Sequence, residues 1–390
     1  MTHRWKKALD KGKLAGAILT DLSKAFDCLN HELLIAKLEA YGFGKSALRY
    51  IYDYLSGRKQ RSKINDTFSE WCNILFGVPQ GSILGPLLFN IYMNDIFFFL
   101  ENCDLANFAD DSTPYTFQNT ESDLLENLEV NVGTLVEWFH NNFLKLNENK
   151  CHLILSSEDS DISLNIGSET IFNENSVKLL GITFDSKLKF NEHIKKLCKK
   201  ASQKLHALAR ISKFMSSEKL RIVMKAFIES EFSYCPLIWM FHDRTLNARI
   251  NKIHERALRL VYKDYDLSFD QLLQLDNSFS IHHRNLQKLA IEMYKVQNNL
   301  TPNFMKEIFN ERNLTYDLRN ANPFLSHNIR TVKNGTDTIS FQGPKLWVSI
   351  PSEIKESKTL PEFQSKIKRW KPINCSCRIC KTWISDLGFL

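Results

Sequence analysis

Two carboxylates stand side by side at Asp110-Asp111, where the apolar run ending in Phe108-Ala109 meets a turn. A strand that stops there presents both acids to an incoming cation. Like charges a few ångströms apart raise each other's pKa, and a bound divalent cation removes that conflict. An acidic turn left in solvent would carry the same residues. The pair therefore constrains the fold only together with whatever else the chain aims at it.

Well upstream, Ala17-Ile18-Leu19-Thr20 leads into Asp21-Leu22-Ser23-Lys24-Ala25-Phe26-Asp27, a second short apolar strand that ends on a carboxylate. Two strand ends of this kind can converge on one metal pair. Between them lies Gly77-Val78-Pro79-Gln80-Gly81-Ser82-Ile83-Leu84-Gly85-Pro86, followed by an apolar run from Leu87 to Ile96. The glycines and prolines make a side-chain-poor turn of fixed shape that lets backbone approach a ligand before a helix begins. Plain punctuation between two elements would read the same way.

Taken in order and spacing, these three stretches resemble motifs A, B and C of reverse transcriptases. Their wording, Asp-Leu-Ser-Lys-Ala-Phe-Asp, Gly-Val-Pro-Gln-Gly-Ser and Phe-Ala-Asp-Asp, is similar to the non-LTR retrotransposon branch, and to jockey-like elements in particular. Leu146-Asn147-Glu148-Asn149-Lys150-Cys151 resembles motif D of that family, and Val177-Lys178-Leu179-Leu180-Gly181-Ile182-Thr183-Phe184-Asp185 its motif E, the primer grip. Group II intron maturases and telomerase share the palm, but the wording of the motifs and the tail point away from them.

The resemblance implies an α+β fold: a palm of antiparallel sheet packed on helices, then a helical thumb and a mainly helical C-terminal region. It implies RNA-directed DNA polymerisation, with Asp21, Asp110 and Asp111 as metal ligands, the Leu22 carbonyl adding an oxygen, and two Mg²⁺ ions, for which Mn²⁺ can substitute. Nucleotidyl transfer asks for this independently, because two metals stabilise both the attacking and the leaving oxygen of an in-line displacement, and hard oxygen ligands suit Mg²⁺. Phe26 falls where an aromatic ring would exclude a ribonucleotide, although a core phenylalanine would look the same. Gln80 and Gly81 would line the pocket of the nascent base pair, Gly181 would lie in the primer grip, and Lys150 would protonate the leaving pyrophosphate. The implied partners are an RNA template, a DNA primer or target DNA, and deoxynucleoside triphosphates.

At 390 residues the chain exceeds what one hydrophobic core usually serves. The expected divisions are a palm with incomplete fingers over 1–185, a basic thumb over 186–265, a retroelement C-terminal region over 266–370 and a cysteine-containing tail over 371–390. The formal net charge of +7 supports only weak attraction to polyanions, so its distribution matters more. Lys196, Lys200 and Lys204 recur every fourth residue beside an apolar stripe of Ile194, Leu197, Ala201, Leu205 and Leu208, which predicts a helix with one buried and one basic face. Directly after the primer-grip segment, such a face suits duplex phosphates.

Helical spacing predicts elements over 31–41, 46–55, 124–144, 246–262 and 280–300, with a capping box at Thr120-Asp123 and a basic hairpin over 57–64. Residues 5–13 read as the end of a helix leading into the first strand, and further strands are expected at 152–155 and 177–184. His282, His283, Arg284 and Lys288 read as a second basic face; adjacent histidines on a helix point in different directions, which favours solvent or phosphate contact over a metal.

Nine scattered cysteines favour a reducing compartment. With no apolar run long enough to span a bilayer and no leader pattern, an intracellular protein of nucleus or cytoplasm is expected, without membrane partners. Cys375, Cys377 and Cys380 are spaced tightly enough for zinc, yet no fourth ligand stands near them in sequence, so no metal site is expected there. Such families place a fingers subdomain and an apurinic-type endonuclease ahead of motif A, where this chain has some twenty residues. Losing two phosphate contacts of about 1.5–3 kcal/mol each would weaken nucleotide use by roughly two to four orders of magnitude. The alternative is therefore a catalytically inactive remnant, or a domesticated nucleic-acid-binding module.

Overall fold

The computed structural model describes residues 1–157, 159, 161–310, 322–325, 328–331, 335–372, 375 and 377–380. Part of the expected cysteine tail, 381–390, lies outside the described residues. The chain divides into two units, one of Met1 with Gly12–Leu179 and one of Thr2–Lys11 with Leu180–Leu390. This division falls at Leu179, within the segment 177–185 that resembles a primer grip, and assigns residues 2–11 to the second unit.

The first unit is organised by the strand β1 (Leu14–Leu19), Leu-Ala-Gly-Ala-Ile-Leu, which is buried on both faces except at its first residue. It lies inside an antiparallel sheet of order β6-β7-β1-β8, built with β6 (Asp104–Phe108), β7 (Asp111–Gln118) and β8 (His152–Leu155). Register is fixed by Leu14↔Gln118 on one side and Leu19↔His152 on the other. Across one face runs α5 (Glu121–Asn141), whose N-cap Thr120 accepts a hydrogen bond from the Asp123 amide. Its Leu124, Leu128, Val132, Leu135 and Phe139 are buried, as their spacing predicts. Gly16 allows this close approach: a Cβ there would stand 2.8 Å from both Leu128 Cδ1 and Leu155 Cδ2.

A second apolar cluster forms under α2 (His31–Ala40), α3 (Lys45–Leu55) and α4 (Leu84–Met93), with Leu34, Leu38, Phe89, Tyr92 and Trp138 at its centre. Lys37 is buried here; its ammonium donates to the Tyr92 carbonyl and to Asp95, both at 2.7 Å, and burial pushes its pKa down. The expected basic hairpin over 57–64 is two short exposed ladders, β2 (Lys59–Gln60) with β5 (Cys72–Asn73), and β3 (Lys63–Ile64) with β4 (Thr67–Phe68). The unit also holds a hairpin that periodicity did not predict, β9 (Ser163–Ile166) with β10 (Glu169–Phe172), and the strand β11 (Ser176–Leu179).

The second unit begins with α1 (Thr2–Asp10) and resumes at β12 (Ile182–Asp185). The predicted strand 177–184 is thus two strands, split at Leu180-Gly181, both at positive φ. Within the unit, the Trp5 indole donates to the Ser186 carbonyl at 3.2 Å, and the Asp10 carboxylate accepts from the amides of Arg330 and Thr331 at 2.9 and 2.7 Å. Its helices are α6 (Asn191–Ile211), α7 (Ser217–Phe227), α8 (Pro236–Trp239), α9 (Arg244–Tyr262), α10 (Phe269–Leu275), α11 (Ile281–Gln297), α12 (Phe304–Ile308), α13 (Ile339–Ser349), α14 (Ser352–Lys355) and α15 (Leu360–Ile367). Its core joins Leu286, Met293 and Tyr294 of α11 to Trp347, Phe363 and Ile367.

The expected second basic face on α11 is corrected by these contacts. His282 is 3 % exposed, and its Nε2 lies 3.3 Å from Cys377 Sγ, so it faces neither solvent nor phosphate. Arg284 is turned inward onto the Glu229 carboxylate, with contacts of 2.5 and 2.9 Å, and Glu229 also meets His254 Nε2 at 3.1 Å. Lys288 donates to the Ser233 carbonyl. The partners of these residues come from segments far away in sequence. Among the described residues, no helix is long and apolar enough to cross a membrane.

Candidate active site at the end of the palm sheet

The acids are brought together by strand register. Beyond the last ladder pair, Thr20 bridges Ser112 in antiparallel sense, its amide and hydroxyl both donating to the Ser112 carbonyl at 3.0 and 2.8 Å. That bridge sets Asp21 next to Asp111 on neighbouring strands. On the other side, Phe108 pairs with Asp111, leaving Ala109-Asp110 as a two-residue turn. Ala109 sits at φ +54°, a left-handed conformation that is costly for a residue with a Cβ. The turn therefore places Asp110 at the tip and Asp111 at the first position of β7.

Burial pushes the Asp111 carboxyl above its usual pKa, and the charges of Asp110 and Asp21 raise it further. The Lys150 ammonium stands 3.2 Å from Asp21 Oδ2, on an exposed side chain. Its position is set by the chain from Lys145 to Asn147: the Ser23 amide donates to the Lys145 carbonyl and the Asn147 amide to the Asp21 carbonyl, both at 2.8 Å. In this bridge between Leu22 and Leu146 the Leu22 carbonyl turns to the opposite edge of its strand.

The glycine-proline segment is tied directly to the segment after Asp21. The Gly77 amide donates to the Leu29 carbonyl at 2.7 Å and the Val78 amide to the Phe26 carbonyl at 2.9 Å. Gly77 has φ +83°, and a Cβ there would lie 2.7–2.8 Å from Asp27 Cα, Asp27 O and Phe26 O. Gln80 is exposed and its amide donates to Asp27 Oδ1 at 2.9 Å, while Gly81, at φ +81°, faces open space. Phe26 is partly buried and stacks on Phe89, with centroids 4.3 Å apart and ring planes 21° apart. His31 was not foreseen; its Nε2 meets the Gly77 carbonyl at 2.7 Å and so locks the turn. A histidine at the first position of α2, beside a loop, was its sole sequence signal.

The remaining candidates belong to the second unit. Gly181 has φ +82°, and the adjacent Leu180 carbonyl accepts from the Tyr234 hydroxyl at 2.8 Å. On α6, Ile194, Ala201, Leu205 and Leu208 are buried and Leu197 partly so, as the stripe predicts. Lys196 and Lys200 are exposed, Lys196 donating to Thr183 Oγ1 at 3.2 Å. Lys204 is different: it is half-buried in an ion pair with Glu231, so the basic face is narrower than its spacing implies.

A sheet that collects three carboxylates where its inner strands end, braced by a glycine turn and covered by helices, defines a polymerase palm. Residues 2–184 match the family described as reverse transcriptase (RNA-dependent DNA polymerase). A probable RNA-directed DNA polymerase from transposon BS of Drosophila melanogaster is 24% identical over 280 residues, spanning 67% of this chain and 30% of its own length. The polymerase from mobile element jockey of Drosophila funebris is 25% identical over 272 residues, spanning 65% and 29%. Apo telomerase from Candida tropicalis superposes with a TM-score of 0.41 at 13% identity, covering 70% of this chain and 46% of that one. Residues 2–184 carry a reverse transcriptase domain, similar to those of the jockey and BS mobile elements. The chain spans under a third of the length of these relatives.

Proposed function

We propose that the palm polymerises DNA on an RNA template, with Asp21, Asp110, Asp111 and the Leu22 carbonyl holding two divalent ions. The observation that carries this reading is the strand register that brings Asp21, Asp110 and Asp111 to one end of the sheet, through the Thr20–Ser112 bridge and the Phe108–Asp111 pair. Burial and the charges of Asp110 and Asp21 raise the Asp111 carboxyl, a conflict that a cation shared by the three acids removes. All are hard oxygen donors, which fits Mg²⁺, with Mn²⁺ as substitute. When bound, the ions stabilise the attacking 3′-oxygen and the departing pyrophosphate.

The rest of the site serves the same chemistry. Phe26, held by its stack on Phe89, stands as a wall against a ribose 2′-hydroxyl. Gln80 and Gly81 offer an amide and bare backbone to the nascent base pair. Lys150 holds a proton beside Asp21, available to pyrophosphate. Gly181 in the primer grip and Lys196 and Lys200 on the thumb, with Lys204 contributing less, face the primer–template duplex. On this reading 1–185 is palm, 186–265 thumb, and the remainder the retroelement C-terminal region and tail. The partners are RNA template, DNA primer or target, and deoxynucleoside triphosphates, inside the cell.

Primer extension on an RNA template with Mg²⁺ tests this, beside Asp110→Asn. Extension by the wild type that vanishes in the variant, with RNA–DNA binding retained, supports the proposal. Salt-sensitive binding without extension by either protein overturns it in favour of a binding module.

A further inference from the structure

The second unit brings together side chains that sequence order keeps apart. Cys377 and Cys380 are joined by one turn of chain in which the Cys380 amide donates to the Cys377 carbonyl at 3.1 Å. His282, 95 residues before Cys377, reaches the same point from the start of α11, and one ligand atom from each of the three residues lies within 4.8 Å of the others. Cys375 is a further buried cysteine two residues before Cys377 in the chain. Cys375 and Cys377 are 6 % and 0 % exposed, while Cys380 is only partly buried.

We infer that Cys375, Cys377, Cys380 and His282 form a structural Zn²⁺ site that fastens the end of the chain to α11. The separations suit one tetrahedral ion: with metal–sulfur and metal–nitrogen bonds of about 2.3 and 2.0 Å, a sulfur–nitrogen edge is about 3.6 Å, against 3.3 Å between Cys377 Sγ and His282 Nε2. Three thiolates and one imidazole are a soft, closed donor set that selects zinc over magnesium and leaves no position for substrate. On binding, the three thiols release their protons to solvent and become thiolates, next to the positive N-terminal end of a 17-residue helix.

The surroundings hold the ligands in place without the metal. Arg378, between two of the cysteines, pairs with Asp243 at 2.9 Å. Gln287, further along α11, donates to the Trp370 carbonyl at 2.8 Å and so guides the chain into the cluster. His242, whose Nδ1 meets the Trp239 carbonyl at 3.0 Å, keeps a buried Nε2 without a partner and is the rival for the fourth position. Cys375 is assigned instead because it is a buried thiol only two residues from Cys377, and a thiol completes a sulfur-rich zinc set.

Zinc content and thiol accessibility of the purified full chain test the site. One zinc per chain is expected, with Cys375, Cys377 and Cys380 protected from alkylation until a chelator is added. The exposed Cys72 and Cys235 should react in both conditions and serve as internal controls. This readout uses wild-type protein and does not depend on a variant folding. In cobalt-exchanged chain, Cys375→Ser should lose about a third of the thiolate-to-metal absorption, while His242→Ala should leave it unchanged. A metal-free chain whose tail thiols alkylate without chelator, or are joined as a disulfide, overturns the inference. Full absorption in Cys375→Ser overturns the assignment of that ligand.

Discussion

Substituting Gly77 by alanine separates two things that glycine does in the turn beside the acids. At φ +83° an L-residue is strained by about 1–2 kcal/mol. A Cβ would also stand 2.7–2.8 Å from three backbone atoms of Phe26 and Asp27, which cannot swing aside as a side chain could. Forcing backbone apart in a packed region costs typically about 1–3 kcal/mol more, giving a total of about 2–5 kcal/mol. Gly81 supplies the control, because its φ is +81° yet a Cβ there meets nothing within 4 Å. Gly81→Ala should therefore lose only the dihedral part, about 1–2 kcal/mol. Urea unfolding of the two variants, followed by tryptophan fluorescence, measures the difference. With a slope of about 2 kcal/mol per molar urea, the midpoint of Gly77→Ala should lie roughly 0.5–1.5 M below that of Gly81→Ala. Equal midpoints would refute the argument that close backbone approach, rather than the left-handed dihedral, is what requires glycine at position 77.

Three further outcomes are expected. Mg²⁺ should raise the thermal midpoint of the wild type by binding the folded acids, and Asp111→Asn should abolish that rise; a rise kept in full would mean the ion sits elsewhere. Changing Lys196 and Lys200 to Glu should reduce the log–log salt slope of duplex binding by about 0.9 for each lost phosphate contact, whereas Lys204→Glu, already paired with Glu231, should change it less; equal effects would show that the pair opens on binding. Burial holds the His193 pKa down at about 4, from an ordinary 6.5, while the Thr183 amide points at its Nδ1 from 3.3 Å. A histidine lowered in this way binds its proton more readily when unfolded, so its contribution is present above pH 6.5 and is lost as pH falls towards 4. Equilibrium unfolding at a series of pH values should show that slope in the wild type and a flatter one in His193→Gln; parallel curves would assign the slope to other groups.

Much of the palm was legible because its chemistry and its local pattern coincide. Phe108-Ala109-Asp110-Asp111 reads as a strand end meeting an acidic turn, and it is one, since the ladder stops at Phe108↔Asp111. Thr120 and the Leu124, Leu128, Val132, Leu135, Phe139 stripe likewise gave α5 almost to its ends. The hairpin of β9 and β10 was missed although Leu164, Ile166 and Ile171 alternate about Gly167-Ser168, because each strand is only four residues long. What local pattern cannot carry is a partner far along the chain. Spacing marked Arg284 as basic but not its turn onto Glu229, where burial opposes the carboxylate's charge and hydrogen bonds from His254 and Arg284 outweigh it, lowering its pKa to about 2. The same limit hid His282 from the cysteines it meets, because 95 residues separate it from Cys377.

A shared metal site requires Asp21 and Asp110 to act as one unit, which a double-mutant cycle on single-turnover extension of an RNA-templated primer measures. Each of Asp21→Asn and Asp110→Asn should slow extension by about 10³-fold or more, corresponding to some 4 kcal/mol of lost charge stabilisation. If the two acids hold one pair of ions, either change disables it, and the double variant should be little slower than the singles. Losses that multiply, or a single variant that still extends near the wild-type rate, would contradict a shared metal site at the end of this sheet.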